Sequence, residues 1–401
     1  MTSSRTKLFL WLALLGVLAI EGSLFLRFRD SILEGKADFT SFYAAAQALH
    51  LGQGERLYEV ETQREFQRDF AARRTPLLFY HPPFELLWFW PLARLPFPQA
   101  YLVWVTLNAM LLVFLASRLL PGAESGAGGL ARVTACFAFA PAFIALLQGQ
   151  DSILLLLLFT LAYRDLRRRN DGRAGCYLAL ALFKFQFVLP FVAILLMRRR
   201  WRLLPGFAAT STGLLLVSFF LVGWEGLAGY VAFFREISMK LAYGTIHPQL
   251  MPNLRGAVAT LLPDPVPAAV TFSVVVILSG LLLILAAWRW PSTESSEEAR
   301  FDLAFALGVV ATVLASYHLN AHDLALLLLP VALVARHLAQ TRGQSGWARR
   351  GLLLAVFSLY YPALYFVPED STLPHSLVWV LLLFVVSLES ELGKTRAPAS
   401  A

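Results

Sequence analysis

The chain has 401 residues, of which 58% are hydrophobic and only 15% are charged. Soluble globular domains carry about 25% charged residues, so this composition excludes an ordinary water-soluble fold and indicates a polytopic membrane protein. The apolar runs are continuous and do not alternate, which predicts an all-α protein rather than a β-barrel. The net charge of +8 comes from arginines that cluster at the ends of apolar runs. We therefore expect membrane lipids as partners and no nucleic acid.

The first apolar run, Leu8–Leu26, comes directly after Arg5 and Lys7. Basic residues before a first span predict a cytoplasmic N-terminus. A cleaved signal peptide is the alternative, but the run is long and lacks a clear small-residue cleavage site. The segment after this first span should then lie on the outer side of the membrane.

Residues 27–81 form the predicted first outer loop. Ser41–His50 and Glu59–Arg73 have helical composition, which predicts two short juxtamembrane helices on the membrane surface. The loop leads into Tyr80-His81-Pro82-Pro83 and the apolar segment Glu85–Leu95. That segment is short for a full span, so it either re-enters or crosses at a tilt.

Further apolar runs predict the later spans. They lie at about Gln99–Leu120, Leu130–Leu147, Ser152–Tyr163, Leu203–Val222, Val266–Trp290, Phe301–Ser316, Leu324–Arg336, Gly351–Phe366 and Ser376–Leu388. Ala174–Met197 has basic residues on both flanks, so we expect two short helices that meet near Lys184 to Pro190. The prediction is about 12 transmembrane helices (11–13) in one membrane domain over residues 1–401. A second long outer loop is expected at 224–264 and a cytoplasmic tail at 391–401.

With this topology, polar and titratable residues collect on the outer side. They are Asp38, Tyr80, His81, Gln150, Asp151, Lys184, His247, Arg255, His318, His322 and Asp323. Polar groups at membrane depth are costly and usually functional or paired. The sequence therefore predicts a site at the outer ends of the spans.

Asp38 lies among Phe39, Phe42 and Tyr43 just after the first span. A lone carboxylate at the lipid boundary suits a general base that deprotonates an acceptor hydroxyl. The alternative is an N-cap for the helix that begins near Thr40. Local sequence does not decide between these two interpretations.

Lys184 and Arg255 are candidate cations for a phosphate or pyrophosphate group. Lys184 could instead snorkel to the interface or pair with a carboxylate, and Arg255 could be an interfacial anchor. The segment Tyr80-His81-Pro82-Pro83 could position a sugar or a phosphate, or simply form a rigid helix entrance.

Two further patterns have both a structural and a functional interpretation. His318 and His322 are four residues apart and precede Asp323, which could be a metal site, but Asn320 and the polar context favour an irregular outer loop. Residues 148–151 predict a tight turn between spans, from which Gln150 and Asp151 could reach a substrate. No nucleotide-binding loop, G-x-S-x-G or H-E-x-x-H motif is present. A lipid-linked donor is therefore the activated sugar available to these outer residues.

The order of these motifs resembles glycosyltransferase family 87, multi-spanning enzymes of the GT-C type that use polyprenyl-phosphate-mannose. The matching pieces are Ala37-Asp38-Phe39 with Tyr43, Gly54 to Tyr58, Tyr80-His-Pro-Pro83, Pro91-Leu92, Leu95-Pro96, Gly149-Gln150, Leu182-Phe-Lys184, Arg199-Arg-Trp201 and Asn320 to Leu324. They cover most of the chain. Gln186 departs from the pattern, since members often have a proline close to the lysine.

The resemblance implies a GT-C fold in the plasma or inner membrane with an active site on the outer face. Asp38 would be the general base, and the acceptor hydroxyl of a lipid or glycan would attack with inversion. The donor would be a polyprenyl-phosphate sugar, usually mannose, held by Lys184, Arg255 and the outer histidines, with Tyr43 also at the substrate. No cofactor or metal is expected, although some relatives with the same fold need a divalent ion.

Two other functions stay open at the level of sequence. A transporter or lipid flippase usually shows inverted repeats and broken helices near the midplane of the membrane. Here no repeat is visible, and the polar residues are predicted to lie on one side of the membrane. A non-catalytic scaffold of the cell envelope would tolerate substitution of Asp38 and Lys184.

Overall fold

The computed structural model describes residues 4–71, 75–121, 128–239, 248–262, 266–291, 298–340 and 373–394. This part of the chain is helical and contains no β-strand, which confirms the all-α prediction. The α-helices are α1 Ser4–Leu33, α2 Phe39–His50, α3 Val60–Gln67, α4 Leu86–Phe89, α5 Phe97–Phe114, α6 Gly128–Phe137, α7 Ala140–Gln148, α8 Ser152–Arg167, α9 Asp171–Leu180, α10 Phe185–Met197, α11 Leu204–Met239, α12 Leu254–Leu261, α13 Ala268–Arg289, α14 Glu298–Ala315, α15 Leu328–Gln340 and α16 Leu373–Lys394.

Six helical segments in the described ranges are long and apolar enough to cross a membrane. They are Ser4–Leu33, Phe97–Leu119, Asp171–Met197, Trp201–Glu236, Ala268–Arg289 and Ala321–Gln340. Helices α6 and α7, bent by 61° to each other, add a seventh if they are counted as one broken span. The chain is therefore a multi-pass membrane protein, as its composition predicts.

The segment Asp171–Met197 turns back on itself. Arg200 Nη1 lies only 2.7 Å from Asp171 Oδ1, whereas a straight helix would separate the ends of this segment by about 40 Å at 1.5 Å per residue. A short 3-10 helix, Ala181–Lys184, joins α9 to α10 at the turn. Length and composition would allow a single span, but the ion pair requires two helices. The predicted pair of short helices that meet at Lys184 is thus confirmed.

Contacts between helix termini define two opposite ends of the helical frame. At the arginine end, Arg167 at the close of α8 and Arg336 in α15 both pair with Asp302. At the other end, which we call the cluster end, Asp151 just before α8 lies 3.0 Å from Lys184. The length of α8 separates these two ends by about 24 Å.

Residues 27–81, which the sequence predicts as the first outer loop, contain the two expected helices, and α2 is largely buried within the protein. Nine of its twelve residues are buried, and Phe42 stacks on Phe89 with ring centroids 4.5 Å apart. Phe89 from the following segment packs against α2. The expected position of the two helices along the membrane surface stays a prediction. Helix α3 ends at Gln67, earlier than the predicted Arg73.

The Glu85–Leu95 segment stays at the cluster end instead of crossing. It consists of α4 between two short 3-10 helices, Pro83–Glu85 and Trp90–Arg94. Glu85 at its start lies beside Asp151, and the carbonyl of Leu95 at its close accepts a hydrogen bond from Tyr43 in α2 at 2.7 Å. The segment therefore adds no further span.

The described part of residues 224–264, which the sequence predicts as a second long outer loop, contains helical segments. Helix α11 bends at Gly223, where φ is 65°, and continues to Met239, and α12 comes after residues 240–253. The predicted span at 351–366 lies outside the described residues. Helix α14 is buried at every position from Phe301 to Leu314, as expected for a helix that is apolar on all sides, and it delivers residues 316–323 to the cluster end.

Candidate active site

Asp38 occupies the N-cap position of α2, but its side chain makes no capping hydrogen bond. Instead Gln150 Nε2 donates to Asp38 Oδ2 at 2.9 Å, and the backbone N–H of Asp38 donates to Gln148 Oε1 at 3.1 Å. The carboxylate side chain is 35% exposed. The N-cap interpretation is therefore right about position only, and the carboxylate is held from one side and open on the other.

A glycine turn brings Gln150 to Asp38. Helix α7 ends at Gly149 with φ of 63°, a left-handed conformation that favours glycine. A Cβ at this position would lie 2.7 Å from the Cβ of Phe39. Trp104 Nε1 also donates to the Gly149 carbonyl at 2.9 Å. These contacts confirm the predicted tight turn and fix its side chains against the start of α2.

Lys184 lies at the tip of the α9–α10 hairpin, with a side chain only 3% exposed. Its ammonium donates to Asp323 Oδ1 at 2.6 Å and to Gln150 Oε1 at 3.3 Å, and it lies 3.0 Å from Asp151 Oδ1. Buried charges persist when they are paired. The sequence left open whether Lys184 binds a phosphate, snorkels to the interface or pairs with a carboxylate. In the structure it pairs with carboxylates.

His322 and Asp323 enter from the turn before α15. Asn320 and Asp323 form a reciprocal capping box, in which the Asn320 N–H donates to Asp323 Oδ2 at 3.0 Å. His322 lies between two carboxylates, with Nδ1 3.7 Å from Asp38 Oδ2 and Nε2 3.5 Å from Asp323 Oδ1. Both separations exceed a hydrogen bond, so the ring lies close to both carboxylates without bonding to either.

These contacts join residues from four parts of the chain into one group, which we call the carboxylate–lysine cluster. Its members are Asp38, Gln150, Asp151, Lys184, His322 and Asp323. Gln150 connects Asp38 to Lys184, because its amide nitrogen donates to Asp38 and its amide oxygen accepts from Lys184.

A second group, buried beside the cluster, contains His81 and a residue that sequence reasoning missed, Glu85. His81 Nδ1 lies 2.8 Å from Glu85 Oε2, and candidate ligand atoms of His81, Glu85 and Asp151 all lie within 4.8 Å of one another. Burial raises the pKa of Glu85 to about 8 and that of Asp151 to about 7, and it lowers the pKa of His81 to about 4. The four-residue spacing from His81 was the sequence signal for Glu85.

The remaining predicted residues that the structure describes are Tyr80, His318 and Arg255. The rings of Tyr80 and His318 meet edge to face at 6.0 Å, and burial lowers the pKa of His318 to about 4, so this imidazole is neutral near pH 7. Arg255 Nη1 donates to the Tyr317 carbonyl at 3.0 Å, and its guanidinium lies 4.1 Å over the Tyr317 ring.

Two predicted site residues are not placed with the others. Tyr43 directs its hydroxyl to the Leu95 carbonyl and accepts a hydrogen bond from Gln47 at 2.9 Å, within an aromatic core. His247 lies outside the described residues. The metal alternative also differs from prediction: within the described ranges, the group with metal-ligand spacing is His81, Glu85 and Asp151 rather than the one at 318–323.

The fold and the cluster together define an integral membrane protein whose polar groups converge at one end of a helical frame. A family model of glycosyltransferase family 87 matches residues 79–316, more than half of the chain. The chain belongs to glycosyltransferase family 87, which confirms the resemblance, and it is therefore a glycosyltransferase that acts on a sugar donor and an acceptor. Searches of the curated proteins and of the solved structures found no match.

Proposed function

We propose that this glycosyltransferase moves a hexose, with mannose as the expected sugar, from a polyprenyl-phosphate donor to a hydroxyl of a lipid or glycan acceptor. The observation that carries the proposal is the environment of the Asp38 side chain. Its carboxylate is partly exposed, and Gln150 donates a hydrogen bond to one of its two oxygens, Oδ2. Within the described residues no hydrogen bond is made to the other oxygen, Oδ1, which could therefore take up a proton from an acceptor. A GT-C fold with about twelve spans forms part of this proposal.

The arginines support an outer-face active site. Arg167, Arg200 and Arg336 all lie at the arginine end, opposite the cluster. Basic residues favour the cytoplasmic side of a membrane, so the cluster end faces outward. A donor with a polyprenyl chain can reach that end from the lipid, and the cell membrane is the expected location.

In the proposed reaction Asp38 is the general base. The acceptor oxygen bonds to the anomeric carbon while the bond from that carbon to the phosphate oxygen breaks, and the electron pair of that bond leaves with the polyprenyl phosphate. The acceptor proton passes to Asp38. Attack opposite the leaving group inverts the anomeric configuration. Positioned bases of this kind contribute about 10²–10⁴-fold to a rate.

Arg255 is the cation that we assign to the donor phosphate. Lys184 already contacts two carboxylates, so its charge is compensated within the protein. Within the described residues no carboxylate lies within ion-pair distance of Arg255, and its guanidinium borders the 317–323 segment. A guanidinium suits phosphate because it can donate two parallel hydrogen bonds.

The test is to incubate the purified protein in nanodiscs with radiolabelled polyprenyl-phosphate-mannose and a membrane lipid extract, and to identify the labelled product. Wild type should form a labelled glycolipid or glycan. Asp38→Asn should lower the transfer rate at least about 10²-fold at an unchanged thermal midpoint. Asp30→Asn, an exposed aspartate in α1, is the matched control and should retain activity.

Full activity in Asp38→Asn would contradict the assignment of the base. Movement of the labelled lipid across proteoliposome membranes without covalent transfer would favour a transporter instead.

A further inference from the structure

The buried region around Lys184 contains more carboxyl groups than cations. The side chains of Glu85, Asp151 and Asp323 are each no more than 2% exposed. Among the described residues, Lys184 is the sole lysine or arginine within ion-pair distance of any of them, and it contacts Asp151 and Asp323. With all three carboxyls ionised and no further cation, two negative charges would stay uncompensated at a depth where charge is costly, which is why burial raises the pKa of Glu85 and that of Asp151 in the protein alone.

The carboxyls of Glu85 and Asp151 lie close enough to share a hydrogen bond if one of them is protonated. As two carboxylates, however, none of their four oxygens accepts a hydrogen bond from the described part of the chain. Their close polar contacts include His81 Nδ1, which lies 2.8 Å from Glu85 Oε2, and Lys184 Nζ, which lies 3.0 Å from Asp151 Oδ1. Buried polar groups without partners are rare, and each one calls for a specific explanation.

A shared metal ion explains both observations. Two neighbouring ligand atoms bound at about 2.1 Å to one octahedral ion lie about 3 Å apart, which is near the 2.8 Å between His81 Nδ1 and Glu85 Oε2. We propose that His81, Glu85 and Asp151 hold a divalent cation. One imidazole and two carboxylates form a donor set suited to Zn²⁺ or Mn²⁺.

The ion would balance the two surplus charges and leave Lys184 to compensate Asp323. It would also tie the loop at His81 to the start of α8, one residue from Gln150, which holds Asp38. The cation acts here as a positioning group for the turn, and no step of sugar transfer passes through it. The proposal stands on burial, charge and geometry and is independent of the donor.

The test measures metal content of the full chain, purified with its affinity tag removed. The protein is dialysed against a buffer that contains Zn²⁺ or Mn²⁺ and then against metal-free buffer. The bound metal is measured by inductively coupled plasma mass spectrometry. Wild type should keep one ion per chain. Glu85→Gln and Asp151→Asn should each lose it, while Glu65→Gln, an exposed glutamate in α3, should keep it. Bound Mn²⁺ should also give an electron paramagnetic resonance spectrum that the two variants lack.

A second measurement uses wild type alone, so it does not depend on the folding of any variant. Adding Zn²⁺ or Mn²⁺ to chelator-treated protein should raise its thermal midpoint, because a ligand that binds only the folded state stabilises it. The proposal would be overturned if wild type bound neither cation, or if the variants held as much metal as wild type. Protonation of Glu85 and Asp151 would then be the explanation for their burial. Neither readout involves sugar transfer, so failure here leaves the proposed function standing.

Discussion

Replacement of Lys184 by methionine tests whether the buried ion pairs hold the cluster end together. Methionine fills a similar volume with an apolar chain, but it removes the one ammonium that contacts Asp151 and Asp323 at 3.0 and 2.6 Å. Because both carboxylate side chains are almost fully buried, water cannot replace the lost partner. We therefore expect Lys184→Met to be strongly destabilising.

The size of the effect depends on burial. Breaking a buried pair by removing one partner costs about 3–5 kcal/mol, since an uncompensated charge is left behind. The lower half of that range applies if Asp151 is compensated by a cation or a proton, because Asp323 alone is then left without a countercharge. In thermal terms the expected drop in the unfolding midpoint is about 4–6 °C for a chain of this size.

The assay is a thermal unfolding scan of variants in one detergent. Lys36→Met removes an exposed surface pair with Glu34, a type of contact worth only about 0–1 kcal/mol, and serves as the matched control. The double variant Lys184→Met/Asp323→Asn should recover part of the loss because it also removes the uncompensated charge. A midpoint for Lys184→Met equal to that of Lys36→Met, or a double variant no better than the single one, would refute this reasoning.

Three further substitutions probe how the site is held. Gln150→Ala removes a hydrogen bond to a charged group worth about 1.5–3 kcal/mol, so the turnover rate should fall about 10–100-fold; an unchanged rate would mean that Gln150 does not orient Asp38. Gly149→Ala places a methyl group 2.7 Å from Phe39 Cβ at a positive φ, and thermal scans should show a loss of about 1–3 kcal/mol, whereas wild-type stability would contradict the close packing. Arg255→Ala should raise the KM for the donor, with Arg255→Lys intermediate, and donor titrations that match wild type would exclude Arg255 from the phosphate site.

The sequence was sufficient to group the outer residues because arginines sort the helix ends. Basic flanks on both sides of Ala174–Met197 required a return near Lys184, and the pair of Arg200 with Asp171 shows that return. The same argument placed Gln150 and Asp323 at one end of the frame. Both local periodicity and charge are properties of the chain itself, so they are readable without a structure.

Other features depend on contacts that the sequence does not encode locally. Helix α2 has an alanine-rich composition that suits a surface helix, and it is buried because the ring of Phe89 and its neighbours pack against it. Glu85 and His81 are four residues apart, but the third member of their buried group, Asp151, lies sixty-six positions beyond Glu85 in the chain. The sequence alone therefore did not identify Glu85 as part of a group. For Lys184, the sequence allowed both phosphate binding and pairing with a carboxylate, and its partners became known only from the structure.

The arrangement around Asp38 suggests why the lysine reaches it only through an amide. An ammonium in direct contact with a carboxylate stabilises the ionised form and so opposes the uptake of a proton, which is the task of a base. Gln150 donates to Asp38 and accepts from Lys184, so it transmits position between them without placing a full charge on the carboxylate. The positive charge of Lys184 is compensated by its ion pairs with Asp323 and Asp151. An exposed carboxylate can therefore be fixed in place by a buried ionic network and still be left to accept a proton from a substrate hydroxyl.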